Sequence, residues 1–454
     1  MPIYASLSFA NPQPHGMTAT QKAASASIAV GLLIFAVAWA GAKLPQAGLL
    51  LLFALGLLVG GGGVYAHTRY ANQPAGIHNN DVWHKNLTRR GTLAWMLGIV
   101  LTGFYVCLYW FPETLSGLVA LFDPFSLLLR QRPADQWFVY GSFYTVAVLL
   151  LGFKFAYKYR HNRYQLIRTI SVCFFQLIFS FLIPALLQVL NEPEYYFTYF
   201  WPLKREYFFP QDLDNLILSP GKLGIFMAFW GIMMSFIAVP VLTYFFGKRW
   251  YCSWVCGCGG LAETAGDSFR HLSDKSLKAW QWERYVVHGV LVFITLTTIL
   301  LWANAHLHGE LLGSASRGFS KTYGFLIGSM FSGVIGTGFY PIFGSRVWCR
   351  FGCPQAAILG IIQKYFSRFR ITVNGGQCIS CGNCSTYCEM GIDVKAYAQR
   401  GQDIVRASCV GCGICAAVCP RGVLRLENGS ADVLQRTSAV RTIHVRADEV
   451  TILR

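Results

Sequence analysis

The sequence is short of charge. Only 13% of its 454 residues are Asp, Glu, Lys or Arg, and just 21 are acidic, where soluble globular domains carry about 25% charged residues. That excludes an ordinary cytosolic enzyme. Nucleotide and flavin motifs are missing. No Walker lysine occurs, and Gly336-x-Gly338 sits in a hydrophobic segment with neither a third glycine nor a preceding strand. Haem is not expected either. Cys-x-x-Cys-His is absent, and His288 is the one histidine well inside a hydrophobic segment, so axial histidine pairs across helices are not available. Intramembrane acidic residues that would mark an ion path are lacking, which weighs against a transporter. The first 22 residues are polar and contain proline, so no cleavable signal peptide is expected.

What the chain has in excess is apolar residues, 54% of the total. Eight hydrophobic segments of membrane-spanning length are predicted, at roughly 23–42, 47–66, 91–110, 137–157, 168–190, 223–246, 283–303 and 322–343. The lipid bilayer is therefore the first partner. Only Lys43 to Gln46 join the first two segments, which predicts a helical hairpin, and Gly56 and Gly60 of the second have the spacing for close helix approach. Lys and Arg exceed Asp and Glu by 17. This excess reads as membrane orientation and not as nucleic-acid binding, because the loops on the side of the termini carry twice the Lys and Arg of the opposite loops. Both termini are thus expected in the cytoplasm of a bacterium, with the chain in the inner membrane. On the opposite side, the aromatic loops 111–136 and 191–222 read as an interfacial belt or a quinone pocket.

Fifteen cysteines are the second excess. Eight form two C-x2-C-x2-C-x3-C runs, Cys378, Cys381, Cys384 and Cys388, then Cys409, Cys412, Cys415 and Cys419 followed by Pro420. In this bacterial two-cluster pattern the fourth cysteine of each run ligates the other cluster. One [4Fe-4S] cluster is then expected on Cys378, Cys381, Cys384 and Cys419, and a second on Cys409, Cys412, Cys415 and Cys388. Paired zinc sites would need fewer thiolates. Glu389 stands where a proline often follows the fourth cysteine. Runs this dense suit a reducing compartment, again the cytoplasm.

A repeat accounts for four more cysteines, and a fifth, Cys258, lies just beyond its first copy. Phe246-Gly247-x-Arg249-x-Tyr251-Cys252-x-Trp254-x-Cys256 matches Phe343-Gly344-x-Arg346-x-Trp348-Cys349-x-Phe351-x-Cys353 at an offset of 97 residues. It reads as a duplicated unit of helix plus cysteine motif. Cys252, Cys256, Cys349 and Cys353 are candidate ligands of a third cluster or another metal, with Arg249 and Arg346 offsetting thiolate charge and Cys258 a substitute ligand or redox thiol. The alternative is inert buried cysteines at helix ends.

Trp348-Cys349-Arg350-Phe351-Gly352-Cys353-Pro354, its degenerate copy at Cys252 to Gly257, and the ferredoxin runs resemble the membrane-bound polyferredoxins of the NapH, NosR and CcoG type. The resemblance covers about residues 223–428. It implies electron transfer between the quinone pool or a cytoplasmic donor and a redox partner, with the clusters on the cytoplasmic side. The periplasmic flavin-binding domain of the NosR kind and the C-terminal immunoglobulin-like domain of the CcoG kind are not found in the sequence.

The expected architecture is a polytopic α-helical membrane protein of about eight spans with a C-terminal two-[4Fe-4S] ferredoxin domain of α+β type. Its parts are a cytoplasmic segment 1–22, a membrane region 23–222, the duplicated unit 223–370, the ferredoxin domain 371–428 and a tail 429–454, where Val440 to Arg446 suggest an edge strand. The expected function is an electron-transfer subunit of a hetero-complex. It would link a cytoplasmic reductase, ferredoxin or flavoprotein to quinone or a membrane redox partner, no substrate-level catalytic site being evident. The competing expectation is an assembly factor that reduces a metal for a respiratory metalloenzyme.

Overall fold

The computed structural model describes residues 16–42, 44–71, 85–204, 207–219, 221–308, 310–311, 313, 315–429 and the two strands 442–446 and 449–453. Residues 1–15, Lys43, and Val440 and Arg441 of the tail lie outside the described residues.

Among the described residues, seven helices are long and apolar enough to cross a membrane: α1 Ala19–Trp39, α2 Ala47–Tyr70, α3 Thr92–Trp110, α5 Gln136–Lys158, α6 Arg163–Val189, α7 Leu223–Phe246 and α9 Leu277–His306. The amphipathic helix α4, Ser116–Arg130, lies between α3 and α5. Caps fix several of these starts. Thr18 and Gln21 form a capping box on α1, and Asp135, Asn162 and Ser276 each accept a backbone N–H at the head of α5, α6 and α9.

The α1–α2 hairpin forms as predicted, but through other glycines. Gly56 and Gly60 face open space, while a Cβ on Gly31 or Gly61 would lie about 3 Å from Ala54 O or Ala24 O across the pair. At the hairpin's turn α4 packs equally close, with Gly117 against Ala38 O and Pro124 against Gly48. Pro184 and Pro240 stand inside α6 and α7, and each follows a widened π stretch, Phe175–Leu182 and Met234–Ala238. A proline lacks an N–H and its ring crowds the carbonyl four residues back, here Ser180 and Phe236; the wide turn relieves both strains.

The eighth predicted segment is not one continuous span. Helix α10, Ala315–Tyr323, runs into π turns over Gly324–Ile335, opens into turns at 336–339 and ends in the short helix Tyr340–Phe343. The break lies at Gly336 and Gly338. A Cβ there would meet Trp348 Cβ at 2.9 Å or Thr102 Oγ1 at 2.6 Å, so the local backbone follows tight packing instead of helical geometry.

Beyond α11, Pro354–Tyr365, the chain forms a small α+β head. Strand β1, Phe369–Val373, pairs antiparallel with β2, Leu424–Asn428, with Ile371 opposite Leu426. Both cysteine runs lie between these strands. The head is fused to the membrane half by one hydrophobic cluster, in which Phe369, Ile371 and Val410 of the head pack with Tyr251, Trp348 and Leu359. In the tail, β3 Thr442–Arg446 and β4 Glu449–Leu453 form a separate antiparallel pair, so part of the expected edge strand belongs to a hairpin.

Candidate iron–sulfur sites at the helix ends

In the head, the four thiols of Cys378, Cys381, Cys384 and Cys419 line one cavity. Burial first, and then the neighbouring thiols of Cys381, Cys419 and Cys378, push the Cys384 thiol up to about 12. The remaining head cysteines form a second group. Burial raises Cys415 well above the ordinary thiol range, with Cys412, Cys409, Cys388 and Cys384 adding to the shift. Cys419 lines the first run's cavity, and Cys388 lies close enough to Cys415 to raise it. Sulfurs crowded together away from water stay protonated alone and ionise only beside compensating positive charge, so each donor set fits an iron centre. None of the fifteen cysteines is in a disulfide.

The second run is seated on the membrane half through its own backbone. Carbonyls of four consecutive residues, Cys409 to Cys412, accept hydrogen bonds from Gln363 Nε2 (2.7 Å), Ser253 Oγ (2.8 Å), Tyr164 OH (2.8 Å) and Gln165 Nε2 (2.9 Å). Gly411 and Gly413 make this possible. Both have positive φ, and a Cβ would strike Arg249 or Tyr164 at under 3 Å.

The duplicated motif is also a duplicated structure. Gly247 and Gly344 end the preceding helices with φ of 70° and 92°. A short turn then presents Cys252 or Cys349. The second cysteine of each copy, Cys256 or Cys353, is the N-cap of the next helix, α8 Gly257–Thr264 or α11. Cys353 Sγ accepts the Ala356 N–H at 3.4 Å, and Cys256 accepts that of Gly259. The two copies converge. Burial pushes Cys353 well up, and Cys349, Cys252 and Cys256 all contribute. Cys258 belongs to the same group. Its thiol hydrogen-bonds to Cys256, which is held down to about 7, while Cys258 is itself pushed well up. The backbone is as tight as the sulfurs, since a Cβ on Gly259 would lie 2.0 Å from Cys252 O.

The cations are distributed differently from expectation. Arg346 Nη1 does reach Cys349 Sγ (3.6 Å) and Cys252 O (3.1 Å). Arg249 instead points outward, bonding Asn428 and lying over the Phe369 ring. The second buried cation is Lys248, whose charge lowers the Cys252, Cys349 and Cys409 thiols and whose ammonium donates to Ala407 O. The repeat therefore aligns Arg249 with Arg346 in sequence but not in role.

Between these sulfur groups lies a buried ion network that the sequence registered only as orientation charges. Arg346 bridges Glu263 (2.7 Å) and Glu389 (3.0 Å), and Arg270 bridges Glu389 (2.8 Å), Glu263 (3.2 Å) and Asp267 (3.1 Å). Arg168 and Lys158 complete it on Glu263 (2.5 Å) and Asp267 (2.6 Å). Burial alone would raise Glu263 and Asp267, but these cations hold both below the ordinary carboxylate range. Glu389 is pushed up, by burial and by the neighbouring charge of Glu263. Glu263, Glu389 and Cys412 come within 4.8 Å of one another. Three guanidiniums already occupy those carboxylates, so this trio is not a cation site. The signal available in the sequence was Glu389 itself, a charge where a proline is common, and Glu263 in an otherwise small and apolar run.

The fold and these thiol groups resemble those of a membrane-bound polyferredoxin. The 4Fe-4S binding domain family matches residues 228–276 and 324–374, one stretch for each copy of the repeat. The 4Fe-4S dicluster domain family matches residues 377–424. Among curated proteins the chain is similar to the putative electron transport protein YccM of Escherichia coli, 28% identical over 37% of this chain and 48% of that protein. It is also similar to the methylamine utilization ferredoxin-type protein MauN of Methylobacillus flagellatus, 27% identical over 34% of this chain and 53% of that one. The chain spans about half the length of these relatives. No solved structure matches. The chain carries 4Fe-4S binding domains and, among the described residues, seven helices of membrane-spanning length.

Proposed function

We propose that the chain is the membrane electron-transfer subunit of a hetero-complex, exchanging electrons between a cytoplasmic reductase, ferredoxin or flavoprotein and quinone or a membrane redox partner. Cys378, Cys381, Cys384 and Cys419 hold one [4Fe-4S] cluster, Cys409, Cys412, Cys415 and Cys388 a second, and Cys252, Cys256, Cys349 and Cys353 a third, with Cys258 beside it. Such clusters supply one-electron exchange, their potentials set by charge, hydrogen bonding and burial. The cysteine-rich head and both termini face the cytoplasm, the seven helices and the broken eighth segment Ala315–Phe343 together making an even number of crossings, in keeping with the Lys and Arg bias of the loops.

The single observation that supports this reading is the seating of the second run's four carbonyls on the membrane half. It makes the Cys409 group proximal to the paired cysteines and leaves the Cys378 group, flanked by exposed Ile379, as the distal one open to a soluble partner. Lys248 and Arg346 keep positive charge between neighbouring thiolate sets, and the apolar cluster around Trp348 and Tyr251 excludes water. The test is an anaerobic redox titration followed by electron paramagnetic resonance. Reduced protein should be reoxidised by a short-chain quinone or by a membrane fraction. Failure of every quinone, ferredoxin and co-purifying reductase to exchange electrons with intact clusters would refute it.

A further inference from the structure

A cavity of about 580 Å³ opens beside the paired cysteines, between the first turns of α9, one face of α11 and the loop before Cys409. Cys349 and Lys248 line its depth. Its only acid is Glu283, which is already bound to Arg350 at 3.0 Å. Three further cations, Arg284, Lys364 and Arg406, line it, and among the described residues none has a carboxylate within ion-pair distance.

Arg284 and Lys364 are exposed and Arg406 is half-buried, and aromatic rings gather all three. Arg284 and Arg406 lie over the same indole, that of Trp280, at 5.1 and 4.8 Å, and Lys364 lies over Tyr365 at 4.9 Å. Arg284 and Arg406 thus share one indole, and guanidinium forks match phosphate oxygens bidentately, so an anion within reach of both would pair with each. The opposite wall, Ala356, Ala357 and Ile361, is apolar and free of bulky projections. Size, apolar wall and convergent cations are the properties of a small-molecule pocket. The three cations come from separate elements, so no linear motif registers them.

We propose that this cleft binds a phosphate-bearing ligand with an apolar or aromatic body, its phosphate on Arg284, Lys364 and Arg406 and its body lying along α11 toward Cys349. A redox role for that ligand rests on the reading of Cys349 as a cluster ligand; the phosphate site itself does not. Two sources carry this chemistry, a diffusible flavin phosphate and the headgroup of an anionic phospholipid.

The test uses delipidated, iron-loaded full-length protein. Flavin mononucleotide and riboflavin are titrated by flavin fluorescence, and retention of phosphatidylglycerol against phosphatidylcholine is read by native mass spectrometry. Saturable binding of the mononucleotide but not riboflavin identifies a diffusible ligand. Selective retention of one phosphatidylglycerol identifies a lipid. In either case the Lys364→Gln/Arg406→Gln variant should weaken binding at least tenfold with unchanged iron content. Neither probe held selectively, or a variant that binds like wild type, overturns the site. Binding that persists in Cys349→Ala protein of unchanged iron content sustains the phosphate site and removes only the cluster reading.

Discussion

Replacing Arg346 by methionine removes one side chain from four contacts. Glu263 and Glu389 each lose a guanidinium partner at 2.7 and 3.0 Å, Cys252 O and Cys349 Sγ lose a donor, and the head loses one of two arginines that tie Glu389 to the membrane half. The site is fully buried, so water cannot replace what is lost. Breaking a buried pair from one side typically costs ~3–5 kcal/mol, because it strands an uncompensated charge. Arg346→Lys keeps a charge but loses the planar fork that reaches both carboxylates, and should fall between wild type and Arg346→Met. Pairing Arg346→Met with Glu389→Gln removes part of the stranded charge, so the double variant should be more stable than the sum of the singles predicts by ~1–3 kcal/mol. The assay is unfolding by SDS titration in mixed micelles, followed by tryptophan fluorescence. A single-variant cost below ~1 kcal/mol, the range of exposed pairs, or additivity within ~0.5 kcal/mol, would refute the view that this network joins head to membrane.

Three further outcomes follow from the same structure. Gly259→Ala forces a Cβ onto Cys252 O and should destabilise the protein by more than ~2 kcal/mol, whereas Gly56→Ala, in open space within a helix, should be neutral or stabilising by up to ~1 kcal/mol; the same unfolding titration distinguishes them. Asp267 is held below the usual range by Lys158 and Arg270. Its contribution is therefore complete above an unfolded value near ~3.9 and is lost as pH falls through the lower folded value. Asp267→Asn should flatten the acid limb of stability against pH; an unchanged limb would contradict the assignment. Gln363→Leu removes two donors to the head's carbonyls and the acceptor for Lys248 N–H. Hydrogen exchange should then rise in residues 406–412 before it rises in the distal Cys378 loop, and equal rates in both would count against the proposed seating.

The spans were legible because hydropathy and length alone demand them, and the cysteine groups because their spacing dictates which sulfurs can meet. What was not legible depended on side-chain direction. Gly56 and Gly60 have the right spacing for helix contact but the wrong face, which Gly31 and Gly61 occupy instead. Arg249 and Arg346 align in the repeat, yet Arg249 turns to the head's strand pair and Lys248 takes the inner position. The last segment looked like a span by composition, but Gly336 and Gly338 surrender helical geometry to packing against Trp348 and Thr102. The ion network was invisible for a different reason. Lys158, Arg168 and Arg270 are the residues that a topology count assigns to a cytoplasmic surface, and only three-dimensional convergence on Glu263, Asp267 and Glu389 marks them as interior.

The most direct test of the account is the iron and acid-labile sulfide content of anaerobically purified protein, compared with that of Cys349→Ala. Three four-iron sites predict about twelve irons per chain in the wild type and about eight in the variant, with the head's signals retained. About eight irons in both would confine clusters to the head and contradict a third site at the paired cysteines.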